Sequence, residues 1–175
     1  SGSLDSAQNN VGVGAETLQG LTTGDSNTVM GAYSGFTLTT GQDNVIIGTD
    51  AGFYATTQND LVLIGRSAGD AINDDGANGT VAVGEHSLSA LTSGGKNVAV
   101  GYESAKGLTT GSFNTALGNQ ALGLGSNTAS QNTAIGFQSG YDITSGGANT
   151  LVGSSSGFNL TTGSQNVAIG DTSLA

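Results

Sequence analysis

Proline and cysteine are both missing from this 175-residue chain, and tryptophan is too. Without cysteine there are no disulfides and no thiolate metal sites, and the redox compartment stays open. Charge is also scarce. Only 9% of residues are charged and 5% aromatic, against about 25% charged in an ordinary globular domain. Three basic residues face thirteen acidic ones, for a net charge of −10. Such a surface repels phosphate backbones, so no nucleic-acid partner is expected. No apolar run reaches the roughly 20 residues of a membrane-spanning helix, so membrane insertion is not expected either. Ser1-Gly2-Ser3 reads as a cloning remnant, and residues 1–9 as an N-terminal lead-in.

What the chain does contain is glycine, 31 residues of it, in a strict order. The element Asn-x-x-φ-Gly, with φ aliphatic, recurs from end to end. Its anchor glycines are Gly14, Gly31, Gly48, Gly65, Gly84, Gly101, Gly118, Gly136, Gly153 and Gly170, separated by 17, 17, 17, 19, 17, 17, 18, 17 and 17 residues. A fixed period means stacked structural units. Ten units fill residues 10–175 and leave no room for a second domain. Asn stands four before the anchor in most units. Val or Thr stands three before, a larger apolar residue one before, and a small residue three after. A Leu-Thr-Thr-Gly cluster follows at 21–24, 38–41, 108–111 and 160–163.

The period is too short for the helical repeats, which need about 33 to 47 residues. Val, Ile and Thr ahead of the glycine favour a strand. The expected fold is all-β: stacked 17-residue β-roll or β-solenoid rungs, each with two short strands and two turns. At about 4.8 Å per rung the rod is roughly 45 to 50 Å long.

Alternation along a strand puts the positions one and three before the glycine on one face. That face is expected to point into the rung. The position between them is then expected outside: Val29, Ile46, Leu63, Ala82, Ala99, Ala116, Ala134, Leu151 and Ala168, with Gly12 at the start. An uncharged outer column suggests contact with another chain. A further pattern links the fourth and fifth positions after the anchor. Gly there is followed by an aromatic at Phe36, Phe53, Tyr141 and Phe158, whereas Leu or Ala is not. This reads as one apolar slot filled from either of two positions.

Asn97-Val98-Ala99-Val100-Gly101 and Asn166-Val167-Ala168-Ile169-Gly170 resemble the repeats of trimeric β-roll heads in bacterial adhesins. The longer unit, Leu-Thr-Thr-Gly-Ser-x-Asn at 108–114 and 160–166, looks like the repeat of phage tail fibres and related adhesive trimers. The resemblance covers about Asn10 to Ala175. It implies an intertwined parallel homotrimer at the cell or virion surface that attaches to a target-cell glycan or protein, or a shaft that displays an adhesive tip. It carries over no catalytic residues and no cofactor. Unit ten stops at Ala175 without a capping element, and solenoids need caps, so a longer fibre is expected.

Candidate sites lie where the repeat is broken. Asp70, Asn73, Asp74 and Asp75 fall in the two-residue insertion, and carboxylates with turn carbonyls suit a hard cation. The spacing matches no EF-hand loop, and a solvated turn is the plainer reading. His86, the single histidine, offers an imidazole to a metal on a threefold axis. Ser126, Asn127 and Gln131 border the one-residue insertion and offer neutral groups to a sugar, with Tyr102 as a stacking face. The Asn column reads as structural, satisfying backbone at successive turns. Adjacent threonines, as at 22–23 and 39–40, raise an ice-binding solenoid as an alternative, although their spacing suits a turn. Glu85 and Glu103, on neighbouring rungs, raise a polysaccharide-processing tailspike. No nucleophilic triad is legible, and an enzyme is not expected.

Overall fold

The computed structural model describes residues 6–123 and 128–175. The chain winds as a parallel β-solenoid of ten coils, each contributing one three-residue strand. In chain order these are β1 (Val11–Val13), β2 (Thr28–Met30), β3 (Val45–Ile47), β4 (Val62–Ile64), β5 (Val81–Val83), β6 (Val98–Val100), β7 (Thr115–Leu117), β8 (Thr133–Ile135), β9 (Thr150–Val152) and β10 (Val167–Ile169). They form one ten-stranded parallel sheet in sequential order. Equivalent positions pair in register, Ala99 with Ala116 for example, including across both insertions. The columns read from the sequence are therefore the columns of the structure.

The expected second strand does not form among the described residues. The segment after each anchor glycine is turn throughout. Its second and fourth residues have φ near +55°, as at Tyr33 (56°), Leu88 (52°), Glu103 (53°) and Leu122 (52°). Left-handed residues at alternate positions break strand geometry, and each costs roughly 1–2 kcal/mol in a non-glycine residue. The stacking continues regardless. Tyr33 N–H donates to Ala15 C=O (2.9 Å), Gly35 N–H to Ala51 C=O (3.0 Å) and Gly20 N–H to Phe36 C=O (3.0 Å).

The anchor glycine is required by contact as well as by φ. At Gly101, with φ +135°, an added Cβ would sit 2.5 Å from Gly118 C=O in the next coil. The glycines stack backbone on backbone, a spacing only glycine permits.

The faces of the strand are the reverse of those expected. The middle residue points inward: Val29, Ile46, Leu63, Ala82, Ala99, Ala116, Ala134 and Leu151 are at most 1% exposed, and Ala168 is 5% exposed. The flanking columns point out, with Val13 at 51%, Met30 at 46% and Leu117 at 47% exposure. The interior of a 17-residue coil is small, and three other columns help to fill it. These are the small residue three after the anchor, Leu or Gly at four after, and Leu21, Leu38, Ile72, Leu91, Leu108 and Ile143 at seven after. A small middle residue is what fits among them.

Size complementarity ties these columns together. Where the middle strand residue is large, as at Val29, Ile46, Leu63 and Leu151, the residue six further on is Gly35, Gly52, Gly69 or Gly157. Where it is Gly12, Ala82 or Ala116, the residue six further on is Leu18, Leu88 or Leu122. A Cβ at Gly69 would lie 2.7 Å from Leu63 Cδ2, and one at Gly157 2.9 Å from Leu151 Cδ1. The apolar slot is thus shared between these two positions. The aromatics do not fill it: Phe36, Phe53, Tyr141 and Phe158 are half-buried on the outside and stack on one another.

Asparagines run up the interior as two hydrogen-bonded ladders, Asn10–Asn27–Asn44 and Asn97–Asn114–Asn132–Asn149–Asn166. Each Oδ1 accepts from the backbone N–H and the Nδ2 of the Asn one coil on. Asn149 N–H and Nδ2, for instance, reach Asn132 Oδ1 at 3.0 and 2.9 Å. Every ladder Nδ2 but that of Asn166 also donates to a turn carbonyl, as Asn132 does to Gly146 (2.9 Å). Leu61 and Thr80 interrupt the column. A buried Thr80 Oγ1 and a buried Gln58 Nε2 without partners flank the gap. The buried serines add a parallel series. Ser104 Oγ donates to Ala116 C=O and Ser139 Oγ to Leu151 C=O, each at 3.0 Å.

Candidate functional site

The outward columns of the sheet make one uninterrupted face. Three before the anchor it reads Val11, Thr28, Val45, Val62, Val81, Val98, Thr115, Thr133, Thr150 and Val167. One before the anchor it reads Val13, Met30, Ile47, Ile64, Val83, Val100, Leu117, Ile135, Val152 and Ile169. No charged residue falls in either column, although the chain carries a net charge of −10. Ten strands at about 4.8 Å, each about 10 Å long, give a footprint of roughly 450 Å². Apolar patches of about 300–600 Å² on soluble chains are often functional. At coils six to eight, exposed Tyr102, Phe113 and Phe137 lie in the columns beside this face. Phe113 is covered in part by the Lys96 ammonium, 5.5 Å from its ring centroid.

The residues singled out from the sequence are scattered. Asp74 caps the one 3-10 turn among the described residues, Asp75–Ala77, accepting from Gly76 N–H at 2.8 Å. Asp75 accepts from the Thr57 hydroxyl. Asn73 is exposed, and its N–H donates to Thr92 C=O. Asp74 is thereby engaged within its own turn, and Asn73 and Asp75 are bonded to the neighbouring coils. Among the described residues no three His, Cys, Asp or Glu side chains are placed to hold a metal ion. His86 lies 3.9 Å from Glu85, which pairs with Arg66. Gln131 is exposed and left-handed (φ +64°). Ser126 and Asn127, with Leu124, lie outside the described residues.

Tyr102 is exposed and hydrogen-bonded to Glu103, whose negative charge raises the phenol pKa. The Glu103 carboxyl is held below its ordinary range by hydrogen bonds from Lys106 Nζ (2.7 Å) and Gln120 Nε2 (2.8 Å). Gln138 continues this surface ladder by donating to Gln120 Oε1 (2.9 Å). Glu85 and Glu103 are thus each committed to a cation. The lowered pKa of Glu103 keeps it ionised, whereas a glycosidase acid must donate a proton.

Asp70 is different. Burial raises its pKa, and the nearby Asp50 carboxylate adds to the effect, against backbone hydrogen bonds and the field of His86. Its Oδ1 is buried without a hydrogen-bond partner. Asp70 continues a column that reads Phe36, Phe53, Asp70 over coils two to four. The Phe36 and Phe53 rings stack at 5.0 Å and 11°. Tyr33 lies against Phe36 (5.9 Å, 55°), and Tyr54 against Phe53 (4.9 Å, 73°). The sequence had offered these phenylalanines only as core fillers, and no signal in it had linked Tyr33 and Tyr54.

The adjacent threonines divide their roles. Thr22 and Thr39 hydroxyls donate to carbonyls one coil on, at 3.1 and 2.9 Å, while Thr23 and Thr40 are exposed. No family model, no curated protein and no solved structure matches the chain.

Proposed function

We propose that the chain is a segment of an extracellular homotrimeric fibre, at a cell or virion surface, that attaches to a target-cell glycan or protein or displays an attachment tip. One observation carries this reading: the uncharged apolar face that runs the full length of the rod. Val, Ile, Leu and Met fill the column one before the anchor without a break, and such surface is costly to leave uncovered, at about 25 cal/mol per Å². A second and third copy offer equally uncharged surfaces. Self-pairing there escapes the repulsion that a net charge of −10 imposes elsewhere. The number three comes from the resemblance of the repeat to fibre heads. Mechanically, three parallel rods repeat weak contacts along one axis and gain by multivalency.

Two measurements test the proposal. Light scattering behind size exclusion should give three times the 17.0 kDa chain mass. Labelled protein should bind cells, with binding lost on dilution into monomer. A monodisperse monomer at micromolar concentration refutes the fibre reading. The same face supports one other reading. A regular, uncharged array of Val and Thr on a rigid sheet is also what an ice-binding solenoid presents, and thermal hysteresis by a monomer would favour it. This reading now rests on the sheet face and not on the adjacent threonines.

A further inference from the structure

We propose that the turn edge of coils two to four is a carbohydrate-binding ledge, where Tyr33 and Tyr54 stack on a neutral or amino-sugar ring and Asp50 and Asp70 accept its hydroxyl or ammonium protons. Stacked rings at the fifth position after the anchor occur twice, as Phe36–Phe53 and as Tyr141–Phe158. The second stack has no further ring beside it among the observed ring pairs, and its second-position neighbours are Gln138 and Ser155. The stack alone is therefore a structural device. Tyr33 and Tyr54 are additions to it, at columns where the other described coils carry no aromatic.

Both tyrosines are open to solvent, at 40% and 56% exposure, and both are tilted against the phenylalanine stack, at 55° and 73°. Each tyrosine ring is therefore turned out of the plane of the phenylalanine stack. An aromatic ring with a polar tip is suited to a ligand with an apolar C–H face and a hydroxylated rim. The carboxylates supply that rim. Asp50 follows Tyr33 in its column and Asp70 follows Phe53 in its own. The chain's three basic side chains are engaged elsewhere: Arg66 with Glu85, Lys106 with Glu103, and Lys96 over Phe113. The acids on the ledge therefore have no Lys or Arg partner, and Asp70 feels only the field of His86 and backbone hydrogen bonds. They favour neutral hydroxyls or an ammonium group and repel sialylated and uronate glycans.

The sugar's coming from a cell surface rests on the attachment reading; the site itself does not. The test is a glycan array carrying neutral, amino-sugar and sialylated glycans, probed with the whole chain and with Tyr33→Ala/Tyr54→Ala. Both side chains are largely exposed but lean on the phenylalanine stack, so the thermal midpoint should fall only by a few degrees and the variant should stay folded at the assay temperature. Saturation-transfer NMR on the glycans bound by the parent, with Tyr54→Phe as a second variant, reads the contact directly. The expected result is binding of neutral or amino-sugar glycans, a loss of tenfold or more in the double variant, and retained stacking in Tyr54→Phe. No binding outside the sialylated set, or equal binding by parent and double variant, overturns the ledge. Sugar binding by a monomer through these tyrosines would leave the ledge standing and remove the trimer. Binding unaffected by the variants would do the reverse.

Discussion

Replacing Asn132 by Leu isolates the contribution of the asparagine ladder, because Leu61 already occupies the same column and its shape is accommodated there. Asn132 sits mid-ladder and is fully buried. The substitution removes four hydrogen bonds: Nδ2 to Asn114 Oδ1 (3.3 Å) and to Gly146 C=O (2.9 Å), and those from Asn149 N–H (3.0 Å) and Nδ2 (2.9 Å) into Oδ1. At about 1 kcal/mol net per bond, and about 1–3 kcal/mol for a stranded Asn149 N–H, the loss is roughly 5–7 kcal/mol. The added Leu side chain returns about 1.5–3 kcal/mol by burial. The net expectation is a destabilisation of about 2–5 kcal/mol. Urea denaturation followed by far-ultraviolet circular dichroism would read it as a lowered midpoint. The reverse change at the ladder's gap, Thr80→Asn, supplies a partner for Asn97 and removes a buried unpaired hydroxyl; it should stabilise by about 1 kcal/mol. A shift under about 0.5 kcal/mol for Asn132→Leu, the usual size for a surface substitution, would refute the ladder as a stabilising element.

Three further outcomes follow from the packing and the charges. Ile46→Ala should cost about 2–5 kcal/mol as a cavity, Gly52→Leu about 1–3 kcal/mol as overpacking, and the double variant should recover at least half of the summed loss, measured by denaturation. Gly95→Ala looks harmless from the sequence, since Gly94 and Gly95 form a turn with a glycine to spare. In the structure its Cβ would fall 2.1 Å from Gly76 C=O, so a clear drop in thermal midpoint is expected. Asp70 carries a raised pKa, so the folded state holds its proton more tightly than the unfolded state, and ionisation works against folding as pH rises. Asp70→Asn should therefore stabilise the chain at pH 7, and the gain should fade as pH drops through the carboxylate range; a gain independent of pH would contradict this.

The repeat and its register were legible because ten copies in phase average out local ambiguity, and even the 19- and 18-residue steps left the columns aligned. The direction of the strand faces was not legible. With Ala at the middle position and Val or Ile at the flanks, neither face is polar, so alternation has no sign to read. Taking the larger residues as core is the natural choice, and it fails because a coil of this size already houses Leu91, Leu108 and Leu122. A signal was present but pointed to two partners. Gly35, Gly52, Gly69 and Gly157 follow the large residues Val29, Ile46, Leu63 and Leu151 six positions earlier, Gly140 after Ala134 being the exception, and the aromatic next door varies with the glycine just as closely, so the sequence did not show which of the two shares the slot. The missing second strand had no signal either: left-handed φ at Tyr33, Leu88 and Leu122 is imposed by the coil on residues that do not favour it. Of the candidate sites, Asn73, Asp74 and Asp75 proved to be bonded within the turn or to the neighbouring coils, and only Asp70 keeps a buried oxygen without a partner. The cluster of four rings at coils two and three was not legible because Tyr33 and Tyr54 come from different columns on either flank of the one that Phe36 and Phe53 share.

The account turns on which strand residues face outward, and Ile135→Asp tests this against its neighbour Ala134→Asp. Ile135 is on the outer face and Ala134 is fully buried inside the coil. Sedimentation equilibrium with circular dichroism on both variants should show Ile135→Asp at the single-chain mass of 17.0 kDa with the parent spectrum. Ala134→Asp should lose the spectrum altogether, since a buried unpaired charge costs several kcal/mol. The opposite pattern, a folded Ala134→Asp monomer beside an unfolded Ile135→Asp, would place the core on the other face and contradict the account.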